Sequence, residues 1–204
     1  MATLFLVRHG ETDWNRELRW QGQDDQPLNA LGRAQADAAA RALASDRFAA
    51  IYSSDLRRAI DTAMPLAVAL ELRPRVEAGL QEVDTGSWTG LTREDVLRRD
   101  PAAIERYEAG GAGWSSGESF EAMYDRAAAA AEAIAERHRP GDRVAVFTHG
   151  GPIRALVARA IDGDWLAARL AVAPAVHCSL TVIEIQAGPR WRLHAFNHPL
   201  PGTA

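Results

Sequence analysis

Four groups of polar residues follow short apolar segments of this 204-residue chain. Ligands of open α/β sheets bind at the carboxyl ends of strands, so we expect the four groups to meet in one cleft. Two guanidiniums, two imidazoles, a carboxylate and a glycine-led helix N-terminus suit a phosphate-sized anion. No pattern of metal ligands stands beside them, and we expect neither a metal nor another cofactor. The groups are Arg8 with His9, residues 53–58 with Arg58, Glu82, and His149 with Gly150 and Gly151.

The elements that must position these residues begin with short strands. Residues 4–7, LFLV, form an apolar run that is typical of a strand covered on both faces. The same reasoning predicts further strands, and the chain then ends in a strand pair around Ala187, Gly188 and Pro189. The further strands are expected at residues 50–53, 75–77, 144–147, 181–186 and 191–197.

Helices are predicted between these strands. Asn29 has the residue type of an N-cap, and Pro65 should kink or break the helix that contains it. Residues 99–117 are expected to be irregular or weakly helical. The helices are expected at residues 29–45, 56–70, from Thr92, 119–138 and 150–161.

The alternation of strand and helix predicts an α/β fold. We expect a three-layer sandwich with a mostly parallel central sheet and helices on both faces. Residues 1–204 are expected to form a single domain. Residues 79–117 interrupt the alternation and are rich in glycine, so we expect them to be a lid-like insertion.

Composition narrows the class of partner. The formal net charge is -4, and all 23 basic residues are arginine, so a broad basic surface for nucleic acid is not expected. Cys178 is the single cysteine, which excludes an intrachain disulfide. No apolar stretch approaches the ~18 residues that a membrane helix needs, and we therefore expect no membrane partner and a cytoplasmic location.

The segment LVRHGETDWN at residues 6–15 resembles the signature of the histidine phosphatase superfamily, in its phosphoglycerate mutase-like branch. Five further blocks follow in the family's order and cover most of the chain. These are WQGQDDQPLNALGRAQA at 20–36, YSSDLRRAIDTA at 52–63, LQEVDTGSWTG at 80–90, GES at 117–119 and FTHGGPIRAL at 147–156.

The resemblance implies a role for each matched residue. His9 would be the nucleophile that forms a phosphohistidine, and Glu82 would be the general acid that protonates the leaving alkoxide and then activates water. Arg8 and Arg58 would hold the phosphoryl oxygens, and His149 would complete the pocket. The remaining phosphate-binding positions are Asn15, Gln21, Gly22 and Gly150.

The physical chemistry of these residues agrees with those roles. An imidazole attacks only when neutral, and nearby Arg8 and Arg58 should lower the pKa of His9. Glu82 must begin protonated, which a dianionic substrate would favour. The arginines can carry the phosphoryl charge, since phosphoryl transfer depends mainly on positioning and electrostatics.

Some residues carry an alternative interpretation. Only one of Arg57 and Arg58 can face the cleft, and the family block selects Arg58. Asp84 is a rival to Glu82 as the acid, and the block selects Glu82. His177 stands where many members of the family carry asparagine. Four tryptophans are expected either to line a substrate pocket or to serve ordinary packing: Trp14, Trp20, Trp88 and Trp114. A zinc site is not expected at His177, Cys178, His194 and His198, because their spacing matches no common ligand pattern.

We therefore expect a metal-independent phosphomonoesterase that hydrolyses small phosphorylated metabolites through a phosphohistidine, with a homodimer as a possible assembly. The second hypothesis is a phosphoglycerate mutase. It is ranked lower because the segment after Glu82 is short and lacks the mutase-like Arg-His-Tyr sequence. An inactive protein that binds phosphorylated ligands is the third, and it would not need a general acid.

Overall fold

The computed structural model describes residues 2–186 and 190–203. The strands of this part are β1 Thr3–Arg8, β2 Ala50–Ser53, β3 Arg75–Val76, β4 Arg143–Thr148, β5 Ser179–Ile185 and β6 Trp191–Pro199. The α-helices are α1 Asp13–Arg16, α2 Ala30–Leu43, α3 Arg57–Ala69, α4 Arg93–Arg99, α5 Pro101–Glu108, α6 Phe120–Glu136, α7 Gly150–Ala160 and α8 Trp165–Ala171.

The strands form one mixed sheet in the order β3-β2-β4-β1-β5-β6. β1 runs parallel to β4 and antiparallel to β5, and β2 runs parallel to both β3 and β4. The prediction of a mostly parallel α/β sheet is therefore confirmed. The predicted turn at Ala187, Gly188 and Pro189 lies outside the described residues.

β1 is buried on both faces, as its apolar run predicts. Leu4 and Leu6 belong to the core cluster that α6 and α7 cover, whereas Phe5 and Val7 belong to the cluster under α2 and α3. Burying such a side chain stabilises the fold by about 1.5–3 kcal/mol. The strand that ends at Arg8 is thus fixed between two helical layers, and these layers with the sheet make the predicted sandwich.

α2 begins as expected, because the Asn29 side chain accepts a hydrogen bond from the amide of Gly32. Of the two outcomes expected at Pro65, the break is wrong, since α3 runs without interruption from Arg57 to Ala69, and the kink stays a prediction. Buried Thr62 and Leu66, on either side of Pro65, hold the helix against the core and offset the hydrogen bond that proline cannot make.

Residues 99–117 are more regular than expected, because α5 occupies Pro101–Glu108. The Asp100 side chain accepts from the Ala103 amide, and proline at the first helical position is already in a helical conformation. The short helices α1 and α8 were also not predicted. They begin at the capping residues Thr12 and Asp164.

The longest helix in residues 2–186 and 190–203 is α6, with 17 residues. No helix in these ranges combines the length and the apolar character that crossing a bilayer requires.

Candidate active site

The turn after β1 is packed directly against the start of α2. A Cβ atom at Gly10 would overlap the carbonyl oxygen of Gly32, and one at Gly32 would overlap that of Glu11. The Gly10 amide also donates to Thr62 Oγ1 at 3.0 Å. His9 therefore stands on a rigid turn between a central strand and two helices.

His9 is buried, with 3% of its surface exposed. Its contact with the Gly10 carbonyl decides which ring nitrogen carries the proton. Burial lowers its pKa well below the ordinary value, and Arg58, His149 and Arg8 lower it further, so the ring is neutral. Nδ1 lies 2.7 Å from the carbonyl oxygen of Gly10, which can only accept a hydrogen bond. Nδ1 must carry the proton, and Nε2 keeps a free lone pair.

Two guanidiniums lie beside His9, that of the buried Arg58 and that of the half-buried Arg8. Arg8 Nη1 donates to the Ala175 carbonyl at 2.6 Å, and Arg58 donates to the carbonyls of Asp24 and Gly22 at 2.6 and 2.7 Å. Burial lowers the pKa of Arg58 to about 10, which leaves it a cation near neutral pH. In each residue Nε is buried and has no hydrogen-bond partner among the described residues. Burying an N–H group without a hydrogen-bond partner destabilises the protein, and an anion that enters the cleft would accept that hydrogen bond.

His149 is fully buried, and its ring centroid lies 5.1 Å from that of His9. It occupies the N-cap position of α7, but its side chain makes no capping hydrogen bond. Nε2 instead lies 2.9 Å from Ser54 Oγ, while Nδ1 has no partner in the described part of the chain. Burial, and then Arg58 and Arg8, lower its pKa well below the ordinary value, so it too is neutral.

The Glu82 carboxylate lies at the N-terminus of α7. Its two oxygens accept from the Gly151 amide at 3.1 and 3.2 Å, and Oε1 accepts from the Val83 amide at 2.9 Å. A Cβ atom at residue 151 would overlap Oε1, so the close approach requires glycine. The positive end of the helix dipole faces this carboxylate.

Arg126 of α6 binds the main chain of residues 79–82, which carries Glu82. Its guanidinium donates to the carbonyls of Gly79, Gln81 and Glu82 at 3.0, 2.6 and 2.8 Å. It also pairs with both oxygens of Glu118, at 2.6 and 2.7 Å. Sequence reasoning did not identify Arg126, and the only signal was the GES block that contains Glu118.

Most of the predicted site residues line one cleft of roughly 240 Å³. The predicted residues at its surface are Arg8, His9, Asn15, Gln21, Gly22, Arg58, Glu82 and Gly150. His149 lies behind this surface, against His9. Asn15 and Gln21 are linked through Thr12 Oγ1, which is 2.9 Å from Asn15 Oδ1 and 3.0 Å from Gln21 Oε1.

The remaining wall of the cleft was not predicted as a site. It combines arginine and aromatic side chains, although Trp20 was among the tryptophans considered. The principal members are Arg19, Trp20, Tyr107, Phe120, Arg154, Trp165 and Arg169. Arg154 stands in the FTHGGPIRAL block and could have been noticed, whereas Arg169 carries no local signal.

The alternative residues lie elsewhere. Arg57 is exposed and lies 3.4 Å from Asp61, and Asp84 Oδ1 accepts from the Gly86 amide. Trp88 and Trp114 are buried in the core, where they pack against each other. Neither of the rival residues Arg57 and Asp84 lines the cleft.

His177 lies against the main chain of His9, with Nδ1 3.1 Å from the His9 carbonyl oxygen. Burial and Arg8 lower its pKa to about 4, so the neutral ring donates from Nδ1 to that carbonyl. His194 instead lies 3.0 Å from Glu184. In residues 2–186 and 190–203 no group of three His, Cys, Asp or Glu side chains is placed to hold a metal.

Comparison with known proteins places the chain in one family. The family model of the histidine phosphatase superfamily (branch 1) matches residues 4–199. A metal-independent phosphoserine phosphatase of Arabidopsis thaliana is 40% identical over 169 residues, which cover 78% of this chain and 68% of that protein. The phosphoglycerate mutase-like protein 4 of the same plant is 34% identical over 96% of this chain and 84% of its own length.

Solved structures show the same fold. A mycobacterial glucosyl-3-phosphoglycerate phosphatase in complex with VO3 superposes with a TM-score of 0.86 at 34% identity, covering 97% of this chain and 99% of that one. The Bacillus stearothermophilus protein YhfR superposes with a TM-score of 0.90 at 30% identity, over the full length of both chains.

Proposed function

Since the chain belongs to the histidine phosphatase superfamily and is a phosphoric monoester hydrolase, we propose that His9 accepts the phosphoryl group of a small phosphate monoester. The observation that carries this proposal is the contact between His9 Nδ1 and the Gly10 carbonyl. It leaves the lone pair on Nε2 of a neutral ring at the surface of a cleft that the cations Arg8 and Arg58 also line. Relatives named for phosphoserine and glucosyl-3-phosphoglycerate support a small phosphorylated metabolite as substrate.

The first step forms a bond between His9 Nε2 and phosphorus and breaks the bond from phosphorus to the ester oxygen. Arg8 and Arg58 bind the phosphoryl oxygens through the N–H groups that have no protein partner, and His149 supports the transferring group. Because their main-chain partners already fix both guanidiniums, little reorganisation is needed when charge develops.

Glu82 donates a proton to the departing alkoxide in this step. In the second step it takes a proton from water while the water oxygen attacks phosphorus, which releases inorganic phosphate and restores neutral His9. The hydrogen bonds from the Gly151 amide hold the Glu82 side chain in place for both proton transfers.

Asn15, Gln21, Gly22 and Gly150 complete the phosphate-binding positions. We propose that residues 79–117 select the leaving group, because this segment supplies Glu82 and Tyr107 to the cleft. Catalysis without a metal is part of the proposal, supported by the arginines and by the named activity of one relative. A single catalytic domain, a cytoplasmic location and a homodimer stay predictions.

The proposal is tested with 4-nitrophenyl phosphate in the presence of a chelator. We expect turnover, and a phosphohistidine detectable by mass spectrometry after an alkaline quench, since this adduct is labile in acid. His9→Ala should lose both signals, and His194→Ala, a change at an exposed histidine outside the cleft, should keep them.

Absence of turnover and of the adduct would overturn the enzyme reading. Full activity of His9→Ala would overturn the proposed mechanism. Efficient interconversion of 3- and 2-phosphoglycerate, stimulated by 2,3-bisphosphoglycerate, would favour the mutase over the hydrolase.

A further inference from the structure

The carbonyl that contacts His9 Nδ1 belongs to a peptide unit that α2 holds. The Gly10 carbonyl and the Glu11 amide are the two polar groups of one planar trans peptide, so they point in opposite directions and turn together. The Glu11 amide donates to Gln35 Oε1 at 2.9 Å. While this hydrogen bond is made, the Gly10 oxygen faces His9 Nδ1 at 2.7 Å. One peptide unit therefore connects the Gln35 side chain to the His9 ring.

Gln35 reaches this peptide because α2 packs closely against the turn after β1. A Cβ atom at Gly32, about one helical turn before Gln35, would overlap the Glu11 carbonyl oxygen. The same carbonyl accepts from the Asn29 amide at 3.0 Å, at the N-cap of α2. The start of α2 thus binds residue 11 through its carbonyl as well as through its amide.

The second polar atom of the Gln35 amide also has a fixed partner. Nε2 donates to the main-chain carbonyl of Thr203 at 3.1 Å. Since that carbonyl can only accept and the Glu11 amide can only donate, the two partners decide which side-chain atom is the oxygen. Thr203 Oγ1 donates to the carbonyl of Leu200, which is buried in the core cluster under α2 and α3. The buried Gln35 side chain cannot rotate without leaving two polar groups unpaired.

The hydrogen bonds from His9 to Thr203 run in one direction. His9 Nδ1 donates to the Gly10 oxygen, the Glu11 amide donates to Gln35 Oε1, and Gln35 Nε2 donates to Thr203. Amide groups aligned in this way polarise one another, so the Gly10 oxygen becomes a better acceptor. A better acceptor at Nδ1 stabilises the positive charge that the ring gains when Nε2 bonds to phosphorus.

We propose that Gln35 is a positioning residue that keeps His9 in the tautomer with a free Nε2, acting through the Gly10–Glu11 peptide. This inference rests on the proposed phosphoryl transfer to His9. Glycine at residue 10 lets the peptide turn at little steric cost, and an unpaired Glu11 amide favours such a turn. Once the Gly10 oxygen leaves Nδ1, the proton can move to Nε2, and the ring then has no lone pair for attack.

The test measures the ring nitrogens of His9 directly. In protein labelled with 15N-histidine at neutral pH, we expect a protonated Nδ1 and an unprotonated Nε2, assigned from the signals that His9→Ala lacks. Gln35→Met removes both hydrogen bonds, so the Nε2-protonated form should appear. Its kcat for 4-nitrophenyl phosphate should fall by about 10- to 100-fold. Competitive inhibition by inorganic phosphate should not change, because Arg8 and Arg58 keep their main-chain partners.

Gln35→Glu is the matched control. Its carboxylate can still accept from the Glu11 amide, but it places a second acceptor against the Thr203 carbonyl. Thermal unfolding should therefore show a loss of stability in both variants, whereas Gln35→Glu should keep the His9 tautomer and most of the kcat.

Three results would overturn the inference. They are an Nε2-protonated His9 in the unmodified protein, an unchanged tautomer in Gln35→Met, and an equal loss of kcat in Gln35→Met and Gln35→Glu. The tautomer is read without turnover, so it tests Gln35 even if the proposed hydrolysis fails. Absence of 4-nitrophenyl phosphate turnover in the unmodified protein would contradict that hydrolysis itself.

Discussion

Arg126 Nη2 donates to the main-chain oxygen of Glu82 at 2.8 Å, and this contact joins α6 to the proposed general acid. The two residues are far apart in the chain and belong to different elements. The same guanidinium forms an ion pair with Glu118. This ion pair fixes the Arg126 side chain, which in turn fixes the main chain at Glu82. Arg126 therefore positions the main chain of Glu82, and the Gly151 amide positions its carboxylate.

Arg126→Met should weaken both the fold and the position of Glu82. We expect the free energy of unfolding to fall by about 2–3 kcal/mol, because three carbonyls and a mostly buried carboxylate lose a charged partner. Urea unfolding measures this loss. The kcat for alkyl phosphates should fall more than that for 4-nitrophenyl phosphate, whose leaving group needs little protonation. An equal effect on the two substrates would indicate a purely structural role.

Glu82→Gln should slow the hydrolysis of alkyl phosphates by about 10²–10⁴-fold, the usual contribution of a general acid. The loss of rate on 4-nitrophenyl phosphate should be smaller, because its leaving group needs little protonation. Steady-state kinetics with both substrates provide the measurement. Asp84→Asn is the control, since Asp84 accepts from the Gly86 amide and does not line the cleft. If Asp84→Asn reproduces the loss and Glu82→Gln does not, Asp84 is the acid.

Gly151→Ala should displace the Glu82 carboxylate, because the new Cβ would overlap Oε1. A displacement of this kind is expected to lower kcat by about 10- to 100-fold. At Gly150 a Cβ would stand 3.7 Å from Arg8 Nε, an ordinary contact, so Gly150→Ala should cost less. Comparing kcat and thermal stability of the two variants tests this difference, and a larger loss from Gly150→Ala would contradict it.

His177 should make the protein less stable in mild acid. Its pKa is about 4 in the folded state and about 6.5 in the unfolded chain, so the unfolded chain binds more protons between these values. Unfolding free energy should therefore fall by about 1.4 kcal/mol per pH unit from this residue as pH drops from 6.5 to 4. Above pH 6.5 the contribution is constant.

The measurement is urea unfolding of the unmodified protein and of His177→Asn at several pH values. Asparagine has an amide that can donate to the His9 carbonyl, as His177 does, and it does not titrate. In His177→Asn the unfolding free energy should depend less on pH between 4 and 6.5 than in the unmodified protein. His194→Asn serves as a second comparison. Identical slopes for the unmodified protein and His177→Asn would show that His177 does not carry the effect.

The amino-acid sequence by itself determined the α/β scaffold and predicted the candidate reacting groups. The apolar run 4–7 predicted a strand buried on both faces, because only a covered strand can dispense with alternating polar residues. The position of Arg8, His9 and His149 after such strands placed them at one sheet edge. Local rules were weaker for proline. Pro101 begins α5, where its missing N–H costs nothing, whereas Pro65 lies within α3, which packing against the core holds together.

The tertiary structure alone decided what each reacting group can do. The tautomer of His9 depends on the orientation of one carbonyl, and the position of Glu82 depends on Arg126 of another helix. Arg154 and Arg169 line the same cleft only because α7 and α8 pack beside it. Such contacts join residues through folding rather than through spacing, so no local pattern encodes them. The candidate reacting residues were therefore predicted from the sequence, and their contacts came only from the tertiary structure.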